Sequence, residues 1–269
     1  MKSAITYSAV PEASGGPFVL WGSLEQNMRL AKEMGFDAIE IFPPGPEFFQ
    51  GLEVASLAEK VGIQIAAIGT GAGWVRHKLS LADADRDIRS RALEFLSSML
   101  QIATDLGAPM IIGSMQGRSG PGVTKPEAKQ YLREGLEQLD SQASRIGGKI
   151  LYEPLNRYKT DQCNTLAQGS SMIGGLFCTK LLADWFHMNI EESDMADAIR
   201  KAATAIGHIH FADSNRQAVG LGHMQIPPLI DALRSIGYSG YLSAEVFPLP
   251  DSDQAAHQTI RSFRNYAKA

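Results

Sequence analysis

The sequence predicts an α/β protein built as a single (β/α)8 TIM barrel over residues 1–269. Three observations carry that expectation. Short β-branched runs alternate with longer amphipathic runs along the whole chain, the pattern of parallel strands joined by helical crossovers. The alternation yields eight strands and about eight helices, and eight units close a barrel, whereas an open doubly wound sheet usually carries about five or six. The length of 269 residues suits one barrel of roughly 250 residues, and no linker, low-complexity block or composition break divides it.

The elements follow in order. The first strand spans 3–7. Ser23 opens a helix with Gln26 in the capping-box position, and Met28, Leu30, Ala31 and Met34 keep helical spacing. The second strand is 38–42, followed by a helix over 54–61 and a third strand over 63–68. A long helix over 86–106 is stopped by Gly107 and Pro109. The fourth strand is 110–113. A helix over 126–146 ends at Gly147-Gly148, before the fifth strand at 149–153. Helix 165–173 precedes the sixth strand at 180–184, and helix 195–206 precedes the seventh around 209–211. Helix 228–236, the eighth strand at 241–245 and a last helix over 253–266 complete the set. A dinucleotide fold lacks its fingerprint: no GxGxxG follows the first strand. Gly69-Thr70-Gly71-Ala72-Gly73 has no good helix start and reads as a flexible turn at the barrel mouth.

Composition narrows the classes. The hydrophobic share of 44% is that of a globular protein with a substantial core, and the net charge of −4 offers no basic excess for nucleic acid or an anionic membrane. The N-terminus has a lysine but no long apolar run after it, so it reads as a strand, not a signal peptide. No stretch reaches the roughly 18 apolar residues of a membrane span. Cys163 and Cys178 show no metal-binding spacing and read as small buried hydrophobes in a reducing, cytoplasmic setting.

Barrel active sites sit at the C-terminal ends of the strands. The fifth, sixth, seventh and eighth strands deliver Glu153, Asp184, His210 and Glu245 to that rim. Adjacent strands lie about 4.8 Å apart, so four neighbours can converge on one ion. Each residue alone reads as a loop anchor or a structural histidine; the regular series over four successive strands is what points to a metal. Three carboxylates and an imidazole form a hard donor set for one divalent ion, with manganese, magnesium and cobalt foremost and zinc also compatible. Without a cation, the three acids would raise one another's pKa. His208 shares the strand face of His210 and should sit one layer deeper, with Glu40 of the second strand as its inward partner. His187 and Arg216, just past the sixth and seventh strands, can reach a substrate oxygen. Arg118 and Arg157 can meet an anionic substrate end or stand as solvated surface arginines.

Three words at the strand ends are recognisable: Glu153-Pro154-Leu155-Asn156-Arg157-Tyr158, Ala183-Asp184-Trp185-Phe186-His187, and His208-Ile209-His210-Phe211-Ala212-Asp213-Ser214-Asn215-Arg216. They resemble the xylose-isomerase-like sugar phosphate isomerase/epimerase superfamily over nearly the whole chain. Within it, the sequence is similar to the ketose 3-epimerases. Ile68-Gly69-Thr70-Gly71, Leu79-Ser80-Leu81 and Ile111-Ile112-Gly113 resemble segments of the 5-keto-L-gluconate epimerases. The resemblance implies that Glu153, Asp184, His210 and Glu245 are metal ligands, that Glu153 and Glu245 are the catalytic acid/base pair, and that His187 and Arg216 bind substrate. It also implies 3-epimerisation of a ketose or keto-sugar acid through a metal-stabilised cis-enediolate.

The rivals are 1,2-aldose–ketose isomerisation, an endonuclease IV-like nuclease and a non-catalytic sugar-binding barrel. Six histidines, and none ending the third or fourth strand, speak against the nuclease. Lys159, Ala72 and Trp185 depart from the family words, are expected at the pocket mouth, and leave the substrate open. Lys159 adds a cation that can meet an acid or phosphate substrate. The expected partner is a small sugar or sugar acid, with no nucleic acid or membrane; a homo-oligomer is expected by analogy alone.

Overall fold

The computed structural model describes residues 1–268, so Ala269, the last residue of the expected domain, lies outside the described residues. Nine strands form one all-parallel sheet: β1 (Lys2–Ser8), β2 (Leu20–Trp21), β3 (Ala38–Phe42), β4 (Gln64–Gly69), β5 (Met110–Ile112), β6 (Ile150–Tyr152), β7 (Thr179–Asp184), β8 (Ile206–His210) and β9 (Tyr241–Ala244). Strands β1 and β3–β9 pair in sequence and β9 returns to β1, which closes the eight-stranded barrel. The short β2 was not anticipated. It pairs with Tyr7 and Ser8 of β1, just above the stretch where β9 pairs with Lys2–Ile5.

The helices are α1 (Leu24–Met34), α2 (Val54–Val61), α3 (Ala72–His77), α4 (Arg86–Asp105), α5 (Lys125–Ile146), α6 (Leu166–Met172), α7 (Trp185–Glu191), α8 (Met195–Ala202), α9 (Ile226–Ser235) and α10 (Ser252–Tyr266). Their ends carry the chemistry that stops and starts helices. Ser23 caps α1 by accepting from the Gln26 N–H, and Thr124 and Glu127 form a full capping box on α5. Gly35, Gly62 and Gly147 end α1, α2 and α5 in the left-handed conformation. Two helices depart from expectation. The Gly69–Gly73 segment is not a flexible turn throughout, because α3 begins at Ala72, and α7 follows β7 without a gap.

Strand parity separates two cores. On β3, Ile39 and Ile41 face the helices while Ala38 packs with Ala4 and Ala66 inside the barrel. Ile150 and Tyr152 face the helices and Leu151 the interior; Leu181 and Ala183 face the helices and Leu182 the interior. With a period of two, the inward positions at the strand ends are Glu153, Asp184, His210 and Glu245. Among the described residues no helix is long and apolar enough to cross a membrane. Cys163 is buried, Cys178 is half-buried, and both are free thiols.

Candidate active site

The four strand-end groups meet. Ligand-capable atoms of Glu153, Asp184, His210 and Glu245 all lie within 4.8 Å of one another. His210 Nδ1 is 3.3 Å from Asp184 Oδ2, 3.5 Å from Glu153 Oε1 and 3.7 Å from Glu245 Oε2. Glu153, Asp184 and His210 are buried and Glu245 is partly buried.

The arrangement fits a divalent cation. Glu153 Oε1 is buried with no hydrogen-bond partner among the described residues, a costly state for a carboxylate unless an ion takes the lone pair. Burial, with Glu245 and Asp184 adding repulsion, pushes the Glu153 carboxyl up to about 7 despite the nearby His210. Asp184 goes the other way: burial opposes its ionisation, but His187, His210 and Arg216 together hold it well below the usual range. Burial likewise opposes a charge on His210, and Glu40, Glu245, Asp184 and Glu153 more than offset it.

Local structure fixes each group. Asp184 serves two purposes: Oδ1 accepts from the His187 N–H as the N-cap of α7, and Oδ2 faces His210. That cap places His187 on the first turn of α7, over the site. The Asn156 backbone N–H donates to His187 Nδ1 at 3.3 Å, and Asn156 Nδ2 lies 2.8 Å from the same atom. An N–H can only donate, so Nδ1 is bare and the proton sits on Nε2, 3.8 Å from Asp184 Oδ2. Burial pulls the His187 pKa down to about 4, leaving a neutral donor. Arg216 adopts the left-handed conformation, with φ of 60°. Its guanidinium bonds Glu245, lies 3.7 Å from Asp184 and stacks 4.9 Å from the Phe186 ring centre.

A cavity of about 430 Å³ opens above these groups, floored by Glu153, His187, Arg216 and Glu245 and walled by Phe18, Phe42, Trp74 and the 12–17 segment. A larger open groove of about 610 Å³ lies against α4 and α5 and holds none of the strand-end groups. Arg118 and Lys159 both line the site cavity. The loops that carry them are fastened together, with Thr160 Oγ1 donating to the Gly117 carbonyl at 2.6 Å and the Ser119 N–H to Asp161 at 2.9 Å.

Three expectations need correction. Arg157 does not line the cavity: its guanidinium is held by Glu191 at 2.9 Å on the outside of α7. Trp185 and Ala72 are fully buried and absent from the mouth, because both lie on the first turn of a helix facing the core, Trp185 against Phe211 at 5.2 Å. Of the three departures from the family words, only Lys159 borders the cavity.

A family model described as xylose isomerase-like TIM barrel matches residues 28–266. The chain belongs to that family. It is 30% identical over 250 residues to an L-ribulose 3-epimerase of Mesorhizobium japonicum, covering 90% of this chain and 82% of that one. It is also 30% identical to a 3-dehydro-D-guloside 4-epimerase of Escherichia coli, covering 82% and 86%. A crystal structure of D-psicose 3-epimerase with D-tagatose, from Clostridium cellulolyticum, shares the fold with a TM-score of 0.82 at 22% identity, over 99% of each chain. These homologues and neighbours are epimerases, isomerases that act on carbohydrates.

The Glu40 expectation is met: Oε2 is 2.9 Å from His208 Nε2 and Oε1 is 3.1 Å from His210 Nε2. Sequence reasoning missed Asn156 and Gln116. Gln116 is buried, donates to the Gly113 and Glu153 carbonyls and accepts from the Tyr152 hydroxyl, so it clamps the backbone that carries Glu153. The Asn156 signal was present, because the residue stands inside the Glu153–Tyr158 word; Gln116 ends a three-residue 3-10 turn with no pattern to mark it.

Proposed function

We propose that this chain is a metal-dependent sugar epimerase that inverts the hydroxyl-bearing C3 beside the carbonyl of a ketose or keto-sugar acid. The observation that carries the reading is the pair Glu153 and Glu245, two carboxylates just past the ends of β6 and β9 that converge on one buried cluster with Asp184 and His210. Inversion needs a proton removed from one face and returned to the other, hence two acid/base groups.

Glu153, Asp184, His210 and Glu245 would hold one divalent ion, with manganese, magnesium or cobalt suited to the oxygen-rich set. When bound, the ion supplies the Lewis-acid charge that polarises the substrate carbonyl and acidifies the neighbouring C–H. One glutamate, as carboxylate, takes the C–H proton; the other, carrying a proton, delivers it to the opposite face. His187 presents its Nε2 proton to a substrate oxygen and stays neutral while doing so. Arg216 bonds Glu245 and sets the charge beside it. Arg118 and Lys159 line the cavity with no ion pair among the described residues, which favours an acid group on the substrate away from the reacting carbon.

The similarity to a 3-dehydro-D-guloside 4-epimerase supports a second reading, inversion at C4 beside a C3 carbonyl, by the same two carboxylates. Proton NMR of manganese-treated reactions, after metal removal, in deuterated water distinguishes them. Deuterium is expected at C3 of a ketose or keto-sugar acid. Exchange at C4 of a 3-keto sugar selects the second reading, and exchange confined to C1 would make the enzyme a 1,2-isomerase.

A further inference from the structure

We propose that Glu40 is a positioning residue for the metal site: it accepts the Nε2 proton of His210 across the barrel interior and so leaves Nδ1 bare toward Glu153, Asp184 and Glu245. The inference rests on the reading that these four residues hold a divalent ion.

A neutral imidazole carries one proton on two nitrogens, and an ion needs the nitrogen without it. His210 Nδ1 faces the three acids at 3.3 to 3.7 Å. Nε2 points the opposite way and lies 3.1 Å from Glu40 Oε1. An ionised carboxylate can only accept, so the proton belongs on Nε2. The other Glu40 oxygen is committed to His208 Nε2 at 2.9 Å, which stops the carboxylate from swinging away from His210. All three side chains are buried, with Glu40 at 5% exposure and both histidines at 1%, so no solvent competes for the proton. Glu40 stands on β3 and the histidines on β8, with β1 and β9 between them, so the link spans the barrel. A carboxylate behind an imidazole orients the ring and makes its free nitrogen more basic, and losing such a partner costs a metal site about 10- to 100-fold in affinity.

The test is a manganese titration of metal-free protein, reading free Mn²⁺ by electron paramagnetic resonance. Wild type should bind one ion per chain and Asp184→Asn none. Glu40→Gln should still bind one ion, about 10- to 100-fold more weakly. In magnesium-loaded wild type with ¹⁵N-labelled histidine, long-range NMR should place the His210 proton on Nε2. Equal affinity in Glu40→Gln overturns the proposal. So does a proton on Nδ1, and so do two ions per wild-type chain, since Glu40, His208 and His210 would then be ligands themselves. If Glu40→Gln does not fold, the wild-type NMR decides. A wild type that binds no ion sinks the metal reading itself, an outcome distinct from a wild type that binds and a variant that binds equally well.

Discussion

The two halves of the barrel mouth use the same strand parity to opposite ends. From β6 to β9 the inward strand-end positions are Glu153, Asp184, His210 and Glu245. From β1 to β5 they are Ser8, Phe42, Gly69 and Gly113. One arc concentrates charge; the other carries none and has glycine at two of its four positions. The two are complementary in detail: a Cβ on Gly113 would collide with the Glu153 carboxylate, and one on Gly69 would meet the Phe42 ring at 2.8 Å. Phe42 in turn stacks on Phe18 at 4.5 Å and forms a cavity wall. The Glu153 carboxylate is thus aimed partly by the side chain missing from the neighbouring strand.

The largest effect should come from the charged arc. Glu153→Gln and Glu245→Gln should each lower turnover by about 10²- to 10⁴-fold, the usual contribution of a general acid or base, with circular dichroism unchanged. Full activity in either variant would remove the acid/base pair. Next comes the empty arc. Gly113→Ala should push the Glu153 carboxylate aside and lower turnover by about 10²-fold, the scale of a misplacement of about 1 Å. Wild-type steady-state kinetics in that variant would show that the glycine arc does not aim the acids.

A pH titration probes the charged arc alone. Metal binding needs Glu153 ionised, and burial has raised its metal-free pKa to about 7. Protons on Glu153 therefore compete with the metal below that value, in addition to the proton His210 must release, and calorimetry should find affinity falling by at least about tenfold per pH unit as pH drops below about 7. Affinity that holds constant from pH 7 down to 5.5 would contradict the raised pKa. The smallest effect lies where the arcs meet. Arg118→Ala and Lys159→Ala should raise KM a few-fold, by roughly 1 kcal/mol each, for a keto-sugar acid and leave a neutral ketose unaffected, as exposed charge pairs are worth little. Equal shifts for both substrates would exclude an acid-specific role.

The barrel was legible because its strands, buried on both faces, read as short β-branched runs and its longer helices as amphipathic runs, patterns that every residue of an element reinforces. The regular series of strand ends made the four candidate ligands readable, and strand parity the Glu40–His208 contact. What stayed hidden had no such redundancy. Helix α3 spans six residues from Ala72, and its N-cap, Gly71, offers no side-chain cap. Helix α7 spans seven, and its cap is Asp184, whose side chain reads first as a ligand. Missing these helices misplaced Ala72 and Trp185, which turn inward on their first turns. Arg157 is claimed by Glu191, 34 residues on, and a long-range pairing between two loop-end charges leaves no trace in local spacing.

The double duty of Asp184 also constrains how the site can change over generations. A longer carboxylate there could still reach an ion, but it would fit poorly as the cap of α7, where short side chains are favoured. An asparagine would keep the helix and surrender a charge. Glu245 carries no helix on its back. If these residues hold an ion as proposed, variation that retunes the site is freer to enter through β9 than through β7, and Asp184 is the position where foldability and chemistry are inherited together.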